Sequence, residues 1–80
     1  MPTIIIIEGF RFHFFSNEND EPPHIHIKKG SGDAKFWLTP EIKLAECYNF
    51  KAQEVNKIWS LIESNRELLI EKWNEYFNKY

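Results

Sequence analysis

The apolar residues of this chain follow one period up to Leu38 and another from Val55 onward, so the chain must build two kinds of element. Side chains alternate between the two faces of a β-strand, and that period of two runs through Phe10, Phe12 and Phe14, through Ile25 and Ile27, and through Ala34, Phe36 and Leu38. Further on, Val55, Ile58, Trp59 and Ile62 fall at i, i+3, i+4 and i+7, which is one face of a helix. Strands followed by helices predict an α+β fold, an antiparallel sheet of four to five strands with the helices packed on one face.

The individual segments follow from the same reading. Residues 3–8 form a first strand that is apolar on both faces, and so is expected to be central or covered on both sides. Glu8-Gly9 is a tight turn. Residues 10–16 are a second strand, 24–28 a third and 34–38 a fourth, with a glycine-bearing turn between the last two. Asn17 to Pro23 reads as an acidic loop ended by two prolines. Thr39-Pro40 breaks the fourth strand. Residues 41–48 suit either a short strand or a helical turn, and a strand is preferred. Ser64-Asn65-Arg66-Glu67 matches a capping box, so the helical part is expected to be two helices, the second striped by Leu69, Trp73, Tyr76, Phe77 and Tyr80. The whole forms one domain over residues 1–80, with a sheet part over 1–48 and a helical part over 49–80. A chain of 80 residues has no room for a second core.

Pro22-Pro23-His24-Ile25-His26-Ile27 carries the chemistry. Two prolines force an extended approach, and alternation then sets His24 and His26 on one face with Ile25 and Ile27 on the other. If the isoleucines and phenylalanines face the helices, the opposite face holds Arg11, His13, Phe15, His24, His26, Lys28, Lys35 and Trp37, a set with no acid in it. Rings for stacking and cations for phosphate suit a single-stranded nucleic acid. They suit equally a phosphodiester-cleaving site in which one imidazole is the base, another the acid, and a lysine or arginine holds the phosphate. His24, His26 and Lys35 are the candidate catalytic residues, and Arg11, Phe15, Lys28, Lys35 and Trp37 the candidate nucleic-acid contacts. A solvated polar face without a task explains the same alternation. The shared face itself depends on register, because a slip of one residue moves each histidine to the other side.

Several classes are disfavoured. The net charge of −2 supplies no overall basic field, so nucleic-acid binding must rest on a local patch. His24 and His26, with His13 as a third, begin a metal set, but Asp20 and Glu21, the acids that would complete it, lie in the loop before the third strand and alternation does not set their reach, so no metal site and no cofactor are assigned. The single Cys47 cannot form an internal disulfide, which fits a reducing cytoplasm. The isoleucine run is too short to span a bilayer, and no secretory leader is legible.

Gly9-Phe10-Arg11-Phe12, Pro22-Pro23-His24-Ile25-His26-Ile27, Ala34-Lys35-Phe36-Trp37-Leu38 and Trp73-Asn74-Glu75-Tyr76-Phe77 occur in that order after Met1-Pro2-Thr3. In this pattern the chain resembles, over essentially its whole length, the small bacterial and archaeal proteins of domain of unknown function family 4160. The resemblance implies a small cytoplasmic protein paired with another small protein encoded alongside it, in the manner of toxin–antitoxin or regulatory pairs. His24 and His26 are then the motif histidines, with Lys35 and Trp37 their companions on the next strand. His13 stands where the pattern has an aromatic residue, and Lys51 where it more often has a Ser or Thr helix cap. The expected function is a toxin–antitoxin-type or regulatory protein that binds or cleaves RNA or DNA through this face. The alternatives are a non-catalytic module that docks on the small partner protein or on a second copy of itself, and a small metal-binding protein.

Overall fold

The structure, a computed structural model, describes residues 3–14 and 21–77. Strands β1 (Thr3–Ile7), β2 (Phe10–His13), β3 (His24–Lys29), β4 (Gly32–Trp37) and β5 (Lys43–Tyr48) precede one helix, α1 (Ala52–Phe77). The strands form a single sheet in sequence order, each antiparallel to the next. The α+β class and the antiparallel sheet are as expected, and the ambiguous segment supplies β5.

Local chemistry sets the connections. Glu8 and Gly9 both have positive φ (52° and 85°), the requirement of a two-residue turn that follows the sheet's own twist. Gly30, at φ 59°, turns the chain between β3 and β4. Gly32 is held for a different reason, since a Cβ there would overlap the Phe50 ring. Beyond the last β3–β4 pair, the Leu38 N–H donates to the Pro23 carbonyl (2.9 Å), using the one ladder group that a proline keeps.

One face of the sheet is the core. Phe10, Phe12, Phe14, Ile25, Ile27, Ala34, Phe36 and Leu38 are all buried there, joined by Ile58, Ile62, Leu69, Trp73 and Phe77 of α1. Phe36 meets Trp59 edge-on at 5.7 Å, and Phe14 meets Trp73 edge-on at 5.2 Å.

Two expectations are corrected. The chain has one helix rather than two, because Ser64 lies within an unbroken α1. A capping box is a local option, and here the buried stripe from Ile58 to Phe77 runs through it. Between Ile62 and Leu69 of that stripe, Arg66 donates from Nε to the Leu38 carbonyl (3.0 Å) and from Nη2 to the Pro40 carbonyl (3.3 Å). Asn65 bonds back to the Leu61 carbonyl (2.8 Å). The polar residues that suggested a helix start instead satisfy carbonyls at the end of β4 and within the helix. Secondly, β1 is an edge strand, not a central one. Ile5 and Ile7 lean on the core, whereas Ile6 is 63% exposed on the other side. An apolar run reads alike whether a strand is covered or merely unguarded.

The start of α1 yields a prediction. The Lys51 carbonyl accepts from the N–H groups of Glu54 and Val55, and the Glu54 carboxylate accepts from the Lys51 N–H (2.8 Å). This is half of a capping box, lacking the side-chain acceptor at the cap itself. Lys51→Ser is expected to stabilise the protein by about 0.5–1 kcal/mol, read from the midpoint of urea unfolding. An unchanged midpoint would mean that the first turn of α1 contributes nothing to global stability.

Candidate functional site on the open sheet face

Residues directly opposite one another in neighbouring strands share a face, so the register assembles the site row by row. One row is His13, His26, Lys35 and Glu46, running from β2 to β5. A second is Ile6, Arg11, Lys28, Asp33 and Tyr48. A third, at the far end, is His24, Trp37 and Lys43. Arg11, His13, His24, His26, Lys28, Lys35 and Trp37 therefore do lie on one face, whereas Phe15 falls outside the described residues.

The three imidazoles form one cluster, and all three are buried. His13 and His26 stack at 5.7 Å with their planes 25° apart, and His24 meets His26 edge-on at 5.2 Å. His24 is fully buried, its ring 4.8 Å from Trp73 and 5.4 Å from Trp37. Its Nδ1 donates to the Pro22 carbonyl at 2.9 Å, and because a carbonyl only accepts, that nitrogen carries a proton. The proline pair thus sets the path of the strand, and the carbonyl of its first member, Pro22, sets the tautomer of the first histidine. His26, 9% exposed, is the member nearest to solvent.

Burial lowers the pKa of His13, with the neighbouring His26 and Arg11 acting in the same direction and Asp33 and a backbone hydrogen bond at Arg11 opposing. A histidine whose pKa is lower in the fold than in the unfolded chain binds fewer protons when folded. Its contribution is fully present above about pH 6.5 and is lost as the pH falls from there through the folded value. His13→Phe keeps a ring against His26 and is expected to flatten the loss of stability below about pH 6.5, followed by urea unfolding at a series of pH values. A decline as steep as in the parent protein would assign the acid sensitivity to other groups.

Lys35 is the central cation. Its ammonium lies 3.0 Å from a Glu21 carboxylate oxygen and 4.5 Å above the Trp37 ring. The same Glu21 oxygen is 3.7 Å from His24 Nδ1. On the other side of Lys35, a cleft of about 150 Å³ is lined by His26, Asp33, Ala34, Lys35, Glu46 and Tyr48. Beyond Trp37 a second hollow, of about 230 Å³, is bounded by Pro22, Trp37, Thr39, Pro40, Glu41 and Lys43. Arg11 is half-buried, and its Nε is buried without a hydrogen-bond partner among the described residues. Lys28 is exposed.

The face is thus not free of acids. Glu21, Asp33 and Glu46 all stand on it or at its rim. Pattern reading raised Glu21 only as a metal ligand and missed Asp33, Glu46 and Tyr48. Asp33 reads as part of a turn, but β4 begins at Gly32, so parity places it with Lys35 and Trp37. Glu46 and Tyr48 are hidden by the shift in register between Lys35 and Phe36, which lets Lys43, Glu46 and Tyr48 share a side of β5 despite their mixed parity. Only extending the alternation of β4 backwards would have found one of them. Among the described residues no group of three or more His, Cys, Asp or Glu is arranged to hold a metal ion.

The model of the family described as Domain of unknown function (DUF4160) matches residues 9–74. The chain belongs to that family. The matched span holds β2 to β5, most of α1 and every described residue of the clefts, while β1 precedes it. No curated protein and no solved structure matches the chain. Among the described residues no helix is long and apolar enough to cross a membrane.

Proposed function

We propose that the open face of the sheet binds single-stranded RNA and that the His26 cleft acts on its phosphodiester backbone. The observation that supports this is the cross-strand row His13, His26, Lys35 and Glu46. It sets a histidine, a lysine and a glutamate on three successive strands, around a cleft that Tyr48 completes. Neighbouring strands lie about 4.8 Å apart, so His26 and Glu46 flank Lys35 at a separation of about 10 Å between backbones, and a phosphate seated between them would compete with Glu21 for the Lys35 ammonium.

In the reaction this arrangement suits, the ribose 2′-oxygen bonds to the adjacent phosphorus and the bond from phosphorus to the 5′-oxygen breaks. One of His26 and Glu46 takes the 2′-hydroxyl proton, and the other gives a proton to the departing 5′-oxygen. Lys35 holds the phosphate oxygens and Trp37 offers a stacking edge. His24, sealed behind Trp37 and Trp73, is a positioning residue for His26 rather than a group that meets substrate. Arg11 and Lys28 extend the phosphate path. A toxin–antitoxin-type or regulatory role would follow from such an activity.

The test is a histidine NMR titration with a short single-stranded RNA, alongside a cleavage assay on the same oligonucleotide and its 2′-deoxy counterpart. The expected result is a shift of the His26 signals on RNA addition, with cleavage of the ribose form only. His26→Ala should lose the cleavage. Unmoved histidine signals together with intact RNA would overturn the proposal. A second reading rests on the three carboxylates, since a face of mixed charge also fits a partner protein. A co-expressed complex that buries Trp37 and carries no nucleic acid would favour that module.

A further inference from the structure

The two edges of the sheet differ in kind. An edge strand presents unpaired N–H and C=O groups, and proteins normally guard it with charges, prolines or bulges. Edge strand β5 is guarded by Lys43 and Glu46 and by its own register shift. Edge strand β1 reads Thr-Ile-Ile-Ile-Ile, without a charge, a proline or a glycine. Its one irregularity lies between Thr3 and Ile5, which leaves Ile5, Ile6 and Ile7 in regular pairing with β2. No backbone hydrogen bond among the described residues ties the outer side of β1 to the rest of the chain. Ile6, at 63%, is the most exposed of the large apolar side chains described.

We infer that β1 pairs antiparallel with β1 of a second copy of this chain, about a two-fold axis at Ile6. Such an axis is isologous, with the same patch on both subunits. Ile6 then lies opposite its own counterpart and Ile5 opposite Ile7, so isoleucine meets isoleucine across the regularly paired part of the strand and no charge is brought against another. A partner of different sequence is not required to complete that match. Parity restricts the register to pairs that share a face, and exposure of Ile6 chooses the centre among them. Pairing Ile6 with Ile6 keeps both helices on one side and both open faces on the other, whereas pairing Ile5 with Ile6 would turn one copy over and set its core face beside the other's open face. The product is one ten-stranded sheet whose two open faces are continuous. A chain of this length buries only about 60% of its unfolded surface alone, which gives an added strand pairing unusual weight. The inference stands whether or not the open face binds RNA.

Light scattering coupled to size exclusion, on the full chain at tens of micromolar, should give a mass twice that of the 9.6 kDa protomer. Ile6→Lys puts a charge on the edge at an exposed position, so its circular dichroism should match the parent while its mass falls to the protomer. Ile6→Cys combined with Cys47→Ser should crosslink under mild oxidation, because directly paired residues have Cα atoms about 4.5–5.5 Å apart, within disulfide range. Should the lysine variant lose its fold, amide exchange on the unaltered protein still decides. The Ile5, Ile6 and Ile7 amides should all be protected at high concentration, and those that point away from β2 should open on dilution. A monomeric parent protein overturns the inference, including the case in which β1 serves a different protein. So does a dimer that survives Ile6→Lys, or one in which alternate β1 amides exchange freely.

Discussion

Trp73→Ala is expected to destabilise the protein by about 3–5 kcal/mol, the largest loss from any single truncation in this chain. Trp73 is the largest of the fully buried side chains and is 1% exposed. It packs 4.2 Å from Phe77 and edge-on to Phe14 within the core, and its other side lies 4.8 Å from His24. Truncation therefore removes the ring, leaves a cavity between α1 and the sheet, and uncovers a histidine that the parent protein keeps dry. A domain of this size has a total stability of only about 4–12 kcal/mol, so the variant would be largely unfolded at moderate temperature or in low urea. Trp59→Ala provides the scale. That ring is half-buried and meets Phe36 edge-on, so its loss should cost clearly less. Urea unfolding followed by far-UV circular dichroism measures both. Equal losses in the two variants would mean that the buried Trp73 contributes no more to stability than the half-buried Trp59.

The core could be read from the chain because period carries burial directly. Alternation picks out Phe10, Phe12, Phe14, Ile25, Ile27, Ala34, Phe36 and Leu38, and all eight are buried together. The helix stripe was equally legible at Ile58, Ile62, Leu69, Trp73 and Phe77. What failed was punctuation. Ser64 and Glu67 have the chemistry of a helix start, but the carbonyls of Leu38 and Pro40 need donors at that height, and Arg66 within a continuous helix provides them. That need belongs to the tertiary structure and leaves no local mark. The place of β1 was illegible for a related reason, since four isoleucines do not say which neighbours cover them. Tyr76, read as part of the stripe, is 41% exposed while still lying against Phe77.

The candidate site was legible in which residues it gathers and illegible in how it buries them. Parity placed the histidines with Lys35 and Trp37, and the pairs His13–His26, His26–Lys35 and His24–Trp37 follow. Parity says nothing of Trp73 reaching round to close over His24, or of Glu21 turning back to Lys35. Those contacts convert a supposed open basic face into a small polar cleft beside a buried imidazole cluster. The change matters for chemistry, because a charge held in a partly desolvated cleft interacts more strongly than the same charge in water.

Lys35 and Glu46 should then act in opposite directions on RNA binding. Lys35→Met keeps an apolar stem over Trp37 but removes the ammonium, whose side chain is only 13% exposed. A charge-assisted contact of this kind contributes about 1.5–3 kcal/mol, so affinity for a short single-stranded RNA should fall about 10–100-fold. The dependence of affinity on salt should weaken at the same time, by the share of about one phosphate contact. Glu46→Gln removes a carboxylate from the opposite wall of the cleft. Glu46 is exposed, so the gain is that of a surface charge, about 2–5-fold tighter binding. Yet if Glu46 exchanges a proton with the ribose or the leaving oxygen, the tighter-binding variant should cleave more slowly than the parent. Fluorescence anisotropy at two salt concentrations, with a cleavage time course, separates these effects. Tighter binding with slower cleavage in Glu46→Gln is not what a general electrostatic change would produce, because loss of a repulsive charge alone raises binding without slowing the chemistry. RNA affinity unaltered in Lys35→Met would remove Lys35 from the binding site, and with it the reason for placing phosphate between His26 and Glu46.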